Sequence, residues 1–188
     1  MPYYLTDWAM WRKRHDTNEE RERFVADPVK ARDRTMNRAV KLLAAKPRSV
    51  GELRARLLEK LWTDAAIVDA VIEKLKEYGY LDDQKFAGDL ALSKLRRKPQ
   101  GRRRLKQALS NKGLGSDDIQ DAVDAAFEKM PESDLIEEAI DKRIAVKGRP
   151  ESREELKRFL DYLLRLGFDY EHIRARMDHI RKGDRESI

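Results

Sequence analysis

Ser49-Val50-Gly51-Glu52-Leu53, Gly101-Arg102-Arg103-Arg104-Leu105 and Ser152-Arg153-Glu154-Glu155-Leu156 are three versions of one pentapeptide, and their reading decides the architecture of this chain. In the first and last, a serine stands three residues before a glutamate. That is the capping-box pattern: the serine oxygen accepts from a backbone N–H three positions on, and the glutamate reaches back to the start of the helix. The middle version keeps the spacing but places Gly101 at the cap and Arg104 where the glutamate stood. Leu53, Leu105 and Leu156 lie 52 and 51 residues apart. A steady period of that length marks tandem supersecondary units.

Behind each leucine runs an apolar stripe at helical spacing: Leu53, Leu57 and Leu58; Leu105, Ala108 and Leu109; Leu156, Phe159, Leu160 and Leu163. Gly113 and Gly167 stand where the second and third of these helices should stop, because glycine takes the left-handed backbone conformation that ends a helix. Leu61 holds that place in the first copy. Thr63, Ser116 and Asp169 are placed to cap a following helix, which carries Ile67, Val68, Val71, Ile72 and Leu75 in copy one. Copy two has Ile119, Val123 and Phe127, and copy three Ile173, Met177 and Ile180. Preceding helices complete the units, with Met36, Ala39, Val40 and Leu43, then Phe86 and Leu90, then Ile136, Ile140 and Ile144. The third central helix should be longer, since Leu156 is eleven residues from Gly167 whereas Leu105 is eight from Gly113.

No run of alternating β-branched or aromatic residues competes with this reading. The expectation is an all-α protein of three tandem three-helix repeats, over 34–81, 82–132 and 133–188, forming an elongated, curved array. Residues 1–33 form a helical N-terminal extension in which Tyr3, Tyr4, Trp8 and Trp11 precede a charged stretch. Trp8 and Trp11 fall on one helical face and are expected to pack against the first repeat.

The surface is mostly charged. Asp, Glu, Lys and Arg make up 40% of the 188 residues, equal to the hydrophobic share, and 41 bases against 35 acids leave a net +6. With pI near 9.4 and mean hydropathy −0.81, this balance favours phosphate or an acidic partner. There is no cysteine, so disulfides and thiolate metal sites are excluded. The first ten residues lack the basic start and apolar core of a signal peptide, and no window nears the length of a membrane span. A cytoplasmic protein, without membrane contact, is expected.

Gly79-Tyr80-Leu81-Asp82-Asp83-Gln84-Lys85-Phe86-Ala87 has the form G-Y-L-D-D-x-x-F-A. Together with Leu42-Leu43, Arg48-Ser49, Glu52-Leu53, Lys112-Gly113 and Leu166-Gly167-Phe168 followed by Tyr170 and Ile173, it resembles the RecX family of recombination regulators over about residues 34–181. Leu61 departs from that pattern, as does the aromatic N-terminal extension. The resemblance implies a non-enzymatic regulator that lies in the groove of the RecA–DNA filament and inhibits the recombinase in DNA repair and recombination; a monomer is expected. The signature also has a local reading: Gly79 ends a helix, Tyr80 and Leu81 tuck apolar surface beneath the turn, and Asp82 or Asp83 caps the next helix.

The strongest chemical signal is Lys94 to Lys106, where Lys94, Arg96, Arg97, Lys98, Arg102, Arg103, Arg104 and Lys106 make eight bases in thirteen residues with no acid. Pro99 and Gly101 break the helix between them. The planar fork of arginine suits phosphate and carboxylate, so these eight are the candidate partner-binding residues. An autonomous nucleic-acid-binding module using the same segment, with direct DNA contact, is the alternative. Arg102, Arg103 and Arg104 crowd a helix start that is already positive, so neutralising them is expected to hold or slightly raise stability. From Ser116 to Asp141, ten acids face one base, Lys129. His172 and His179 have no third ligand, and His15 is isolated, so no metal site is expected. No nucleotide-binding glycine loop or nucleophile elbow is present. Glu137, Glu138 and Asp141 read as solvated carboxylates. Neither a cofactor nor enzymatic turnover is expected.

Overall fold

The computed structural model describes Val25 and residues 27–183, with side chains described as far as Met177. Trp8, Trp11, His15, His179 and Ile180, and with them most of the expected N-terminal extension, lie outside the described side chains. The described residues contain nine helices and no strand: α1 (Pro28–Ala45), α2 (Val50–Leu58), α3 (Ala65–Glu77), α4 (Asp83–Arg97), α5 (Arg102–Ser110), α6 (Ser116–Lys129), α7 (Glu132–Lys147), α8 (Arg153–Arg165) and α9 (Tyr170–Gly183). They form two compact units, one comprising residues up to 47 and 52–81, the other 48–51 and 82 onward.

In the first unit, α1 begins inside the stretch assigned to the extension. Asp27 caps it by accepting from Val29 and Lys30 N–H, both at 3.1 Å. Pro28 follows at the first helical position, where its missing N–H costs nothing. Ala31, Thr35 and Ala39 of α1 are buried with Leu53 and Leu57 of α2 and Val68, Val71, Ile72 and Leu75 of α3. Val40, expected in this stripe, is 47% exposed. The expected cap Thr63 is buried instead, its hydroxyl 3.0 Å from that of Thr35. Asp64, one residue on, caps α3 by accepting from Ile67 N–H at 2.8 Å. At its other end, α3 closes as the signature suggests. Gly79 has φ 73°, and Tyr80 N–H donates back to Leu75 C=O at 2.9 Å, the pairing of a Schellman turn. Leu81 is buried, but Tyr80 is 66% exposed.

The second unit buries one continuous core from Ala87, Ala91 and Leu95 of α4 to Ile173 and Met177 of α9. Asp82 caps α4, accepting from Lys85 N–H at 2.8 Å, while Asp83 accepts from Val50 N–H at 2.9 Å. Gly115, not Ser116, is the cap of α6. Asp169 does begin α9, accepting from Glu171 N–H at 2.9 Å. The Ser152 capping box is complete: Glu155 N–H donates to Ser152 Oγ at 3.1 Å, and Ser152 N–H to Glu155 Oε2 at 3.2 Å. The Glu151 backbone N–H, and after it that of Ser152, both donating to Glu155 Oε2, hold the Glu155 carboxyl below the usual glutamate range. At thirteen residues α8 is longer than α5, which has nine.

Two glycine contacts within this unit repeat one arrangement. The buried Ser49 hydroxyl donates to Lys112 C=O, beside Gly113 with φ 67°. One period later Gly101 N–H donates to Leu166 C=O at 2.9 Å, beside Gly167 with φ 86°. A Cβ on Gly101 would lie 2.2 Å from Gly167 O. The glycine that replaces the serine cap is thus required by backbone contact.

Candidate binding surface

The segment 94–106 is the C-terminus of α4, a turn, and the N-terminus of α5. Its turn is packed into the protein: Pro99, Gln100 and Gly101 are buried. Lys94, Arg96 and Arg97 occupy the last turn of α4, where positive charge complements the carbonyl end of the helix.

The eight bases divide. Arg102, half-exposed, is engaged within the protein: its guanidinium pairs with Asp124 of α6, reaches Glu132 of α7 at 3.7 Å and lies 4.8 Å from the Phe127 ring centroid. Its backbone N–H also donates to Glu132 Oε1 at 3.1 Å. Glu132 thereby supplies the carboxylate that Arg104 displaced from the pentapeptide, and it comes from the next helix hairpin. Arg104 Nη1 donates to Arg165 C=O at 2.9 Å, satisfying a carbonyl at the end of α8. Lys106 Nζ donates to Gln120 Oε1 at 2.7 Å. Among the described residues no side-chain partner engages Arg96, Arg97, Lys98 or Arg103, all exposed, or the half-buried Lys94.

This pattern corrects the expectation that neutralising Arg102, Arg103 and Arg104 would leave stability level or raised. The crowding at the start of α5 is relieved from within by Asp124 and Glu132. The Arg102 guanidinium, followed by the Gln120 amide, holds the Asp124 carboxyl below the usual aspartate range. Asp124 and Glu132 read in sequence only as part of an acidic run; the link to Arg102 spans 22 and 30 residues. His172 Nδ1 lies 3.8 Å from Glu132 Oε2. Among the described residues no group of three His, Cys, Asp or Glu could hold a metal ion. No described helix is long and apolar enough to cross a membrane.

Fold and surface define a tandem helical-repeat protein with an outward cationic set. The family models described as "RecX, first three-helix domain" and "RecX, second three-helix domain" match residues 36–75 and 82–123. The regulatory protein RecX of Thermotoga petrophila is 36% identical over 178 residues, 95% of this chain and 99% of that protein. That of Chlorobaculum tepidum is 31% identical over 140 residues, 74% of this chain and 83% of that protein. A crystal structure of RecX from Lactobacillus salivarius superposes with a TM-score of 0.72 at 19% identity, covering 81% of this chain and 98% of that one. This chain belongs to the RecX family.

Proposed function

We propose that this chain is a non-enzymatic regulatory protein of the cytoplasm that binds the RecA–DNA filament as a monomer and inhibits recombinase activity in DNA repair and recombination. Three tandem three-helix modules, the first opening at Pro28 and the third with the helix from Glu132, carry the contacts. The observation supporting this reading is the set Lys94, Arg96, Arg97, Lys98 and Arg103, which no internal carboxylate neutralises among the described residues. On filament docking these cations meet phosphate or carboxylate, while Arg102, Arg104 and Lys106 hold the segment in place. A charge-assisted contact contributes about 1.5 to 3 kcal/mol where water is excluded and under about 1 kcal/mol where it is not.

The test is DNA-strand exchange by RecA with wild-type protein and with the Arg96→Gln/Arg97→Gln/Arg103→Gln variant. Wild type should inhibit, and the variant should need a several-fold higher concentration at an unchanged melting temperature. Absence of inhibition by saturating wild type would remove the reading. If the chain is instead an autonomous DNA-binding module, its affinity for bare DNA should fall with salt as steeply as its effect on RecA.

A further inference from the structure

The first unit carries a second cationic feature. Arg34, Arg38 and Lys41 follow one another on α1 at spacings of four and three, which places them along one helix face. With Asn37, Leu42 and Trp62 they line a depression of about 330 Å³. Among the described residues no carboxylate lines it. Arg34, Arg38 and Lys41 form no ion pair with any described residue, although Arg54, Arg56 and Lys76 of the same unit all do.

Two details separate this feature from an ordinary solvated helix face. Arg38 Nε is buried with no hydrogen-bond partner among the described residues. A buried charged donor left unsatisfied is costly, and an acceptor from a ligand removes that cost. Trp62, in the connection between α2 and α3, keeps 37% of its surface exposed, with the Lys60 ammonium 5.7 Å from the ring centroid. A large flat indole held at the rim of a basic depression is the arrangement that takes a nucleobase on its face and the adjoining phosphates on the cations. An acidic peptide would answer the charges but make no use of the exposed plate.

We propose that this depression is a binding site for single-stranded nucleic acid. A base stacks on Trp62, the Asn37 amide faces the base edge, and Arg34, Arg38 and Lys41 hold the phosphodiester. The site shares no residue with segment 94–106 and needs no filament, so it stands or falls independently of the function proposed above.

The test is fluorescence anisotropy of the full chain with a labelled oligothymidylate of about 16 nucleotides, the upper end of common single-strand site sizes, over a salt series without RecA. Trp62→Ala should weaken binding about 10-fold, the loss expected for one stacked base, while Trp62→Phe should keep most of the affinity because a ring remains. Arg34→Gln/Lys41→Gln should flatten the slope of log affinity against log salt by about 1.4, because two phosphates are no longer neutralised. Tryptophan quenching by the oligonucleotide should shrink in Trp62→Phe. Both cations are exposed, so the double-glutamine variant should melt with wild type. Three outcomes would each overturn the site. The first is unchanged affinity and salt slope in both the Trp62→Ala and double-glutamine variants. The second is binding abolished by Arg96→Gln/Arg97→Gln/Arg103→Gln while the depression variants bind normally. The third is depression variants that bind the oligonucleotide normally but no longer bind DNA-free RecA.

Discussion

Substituting Gly101 by alanine isolates the contact on which the helix α5 start depends. Gly101 has φ −82°, a conformation alanine adopts freely, so any cost comes from space. The added Cβ would lie 2.2 Å from Gly167 O and 2.4 Å from Phe168 N, both backbone atoms. Backbone cannot rotate aside as a side-chain tip can, so the two segments must separate. Overpacking of this kind costs about 1 to 3 kcal/mol, and stretching the 2.9 Å bond from Gly101 N–H to Leu166 C=O adds about 1 kcal/mol. The sum, about 2 to 4 kcal/mol, corresponds to a fall in melting temperature of roughly 4 to 16 °C at about 2 to 4 °C per kcal/mol. Thermal and urea unfolding followed by far-ultraviolet circular dichroism would measure it. Gly88→Ala is the matched control: Gly88 lies inside α4 with nothing within 4 Å of an added Cβ, so this change should stabilise by about 0.5 to 1 kcal/mol. If Gly101→Ala melts with wild type while Gly88→Ala shows its gain, the close approach at Gly101 carries no energy and the argument fails.

Arg102→Ala should destabilise by about 1 kcal/mol, since its ion pairs are partly exposed, whereas Arg103→Ala should change stability by less than about 0.5 kcal/mol; equal effects in urea titrations would contradict the division of the segment. Ser152→Ala should cost about 1 kcal/mol through loss of the α8 cap, read as a shift in urea midpoint. Acid should destabilise the fold, because the carboxyls of Asp27, Asp69, Asp124 and Glu155 are held below their usual range. Their contribution is present above the unfolded pKa and is lost as pH falls through the folded values, below about pH 4. Melting curves from neutral pH down to that window should show the loss, and Asp124→Asn should reduce it. Stability that rises on acidification in that window would reverse the sign of the argument.

Helix positions were legible because they depend on neighbours within a turn. The stripes behind Leu53, Leu105 and Leu156, the box at Ser152 and the stops at Gly79, Gly113 and Gly167 are all local, and the residues concerned behave as their spacing implies. The misreadings came where packing beyond the local turn decides whether a side chain is claimed or left uncovered. Thr63 sits by Thr35 in the core, leaving the cap to Asp64. Val40 and Tyr80 fit apolar positions by spacing, but no described element buries them. Leu61 shows the reverse: no left-handed residue follows α2, since every described positive-φ position is glycine, and Lys60 N–H closes that turn on Leu57 C=O at 3.1 Å.

The cationic surface divides along the same line. Composition and order alone determined that eight bases cluster between Lys94 and Lys106, because charge density is a property of the chain. Only tertiary structure decided which of them are available. Arg102 is taken by Asp124 and Glu132, Arg104 by the carbonyl of Arg165, and Arg103 between them by no described side chain. Successive residues at the start of a helix point in directions about a third of a turn apart. Each therefore meets whatever element packs on its own side, and the packing of α6, α7 and α8 around α5 is settled by the buried core rather than by the charges. The same holds for Arg34, Arg38 and Lys41: their spacing on α1 is written in the sequence, but folding of the first unit brings Trp62 to the same depression from the far side of α2.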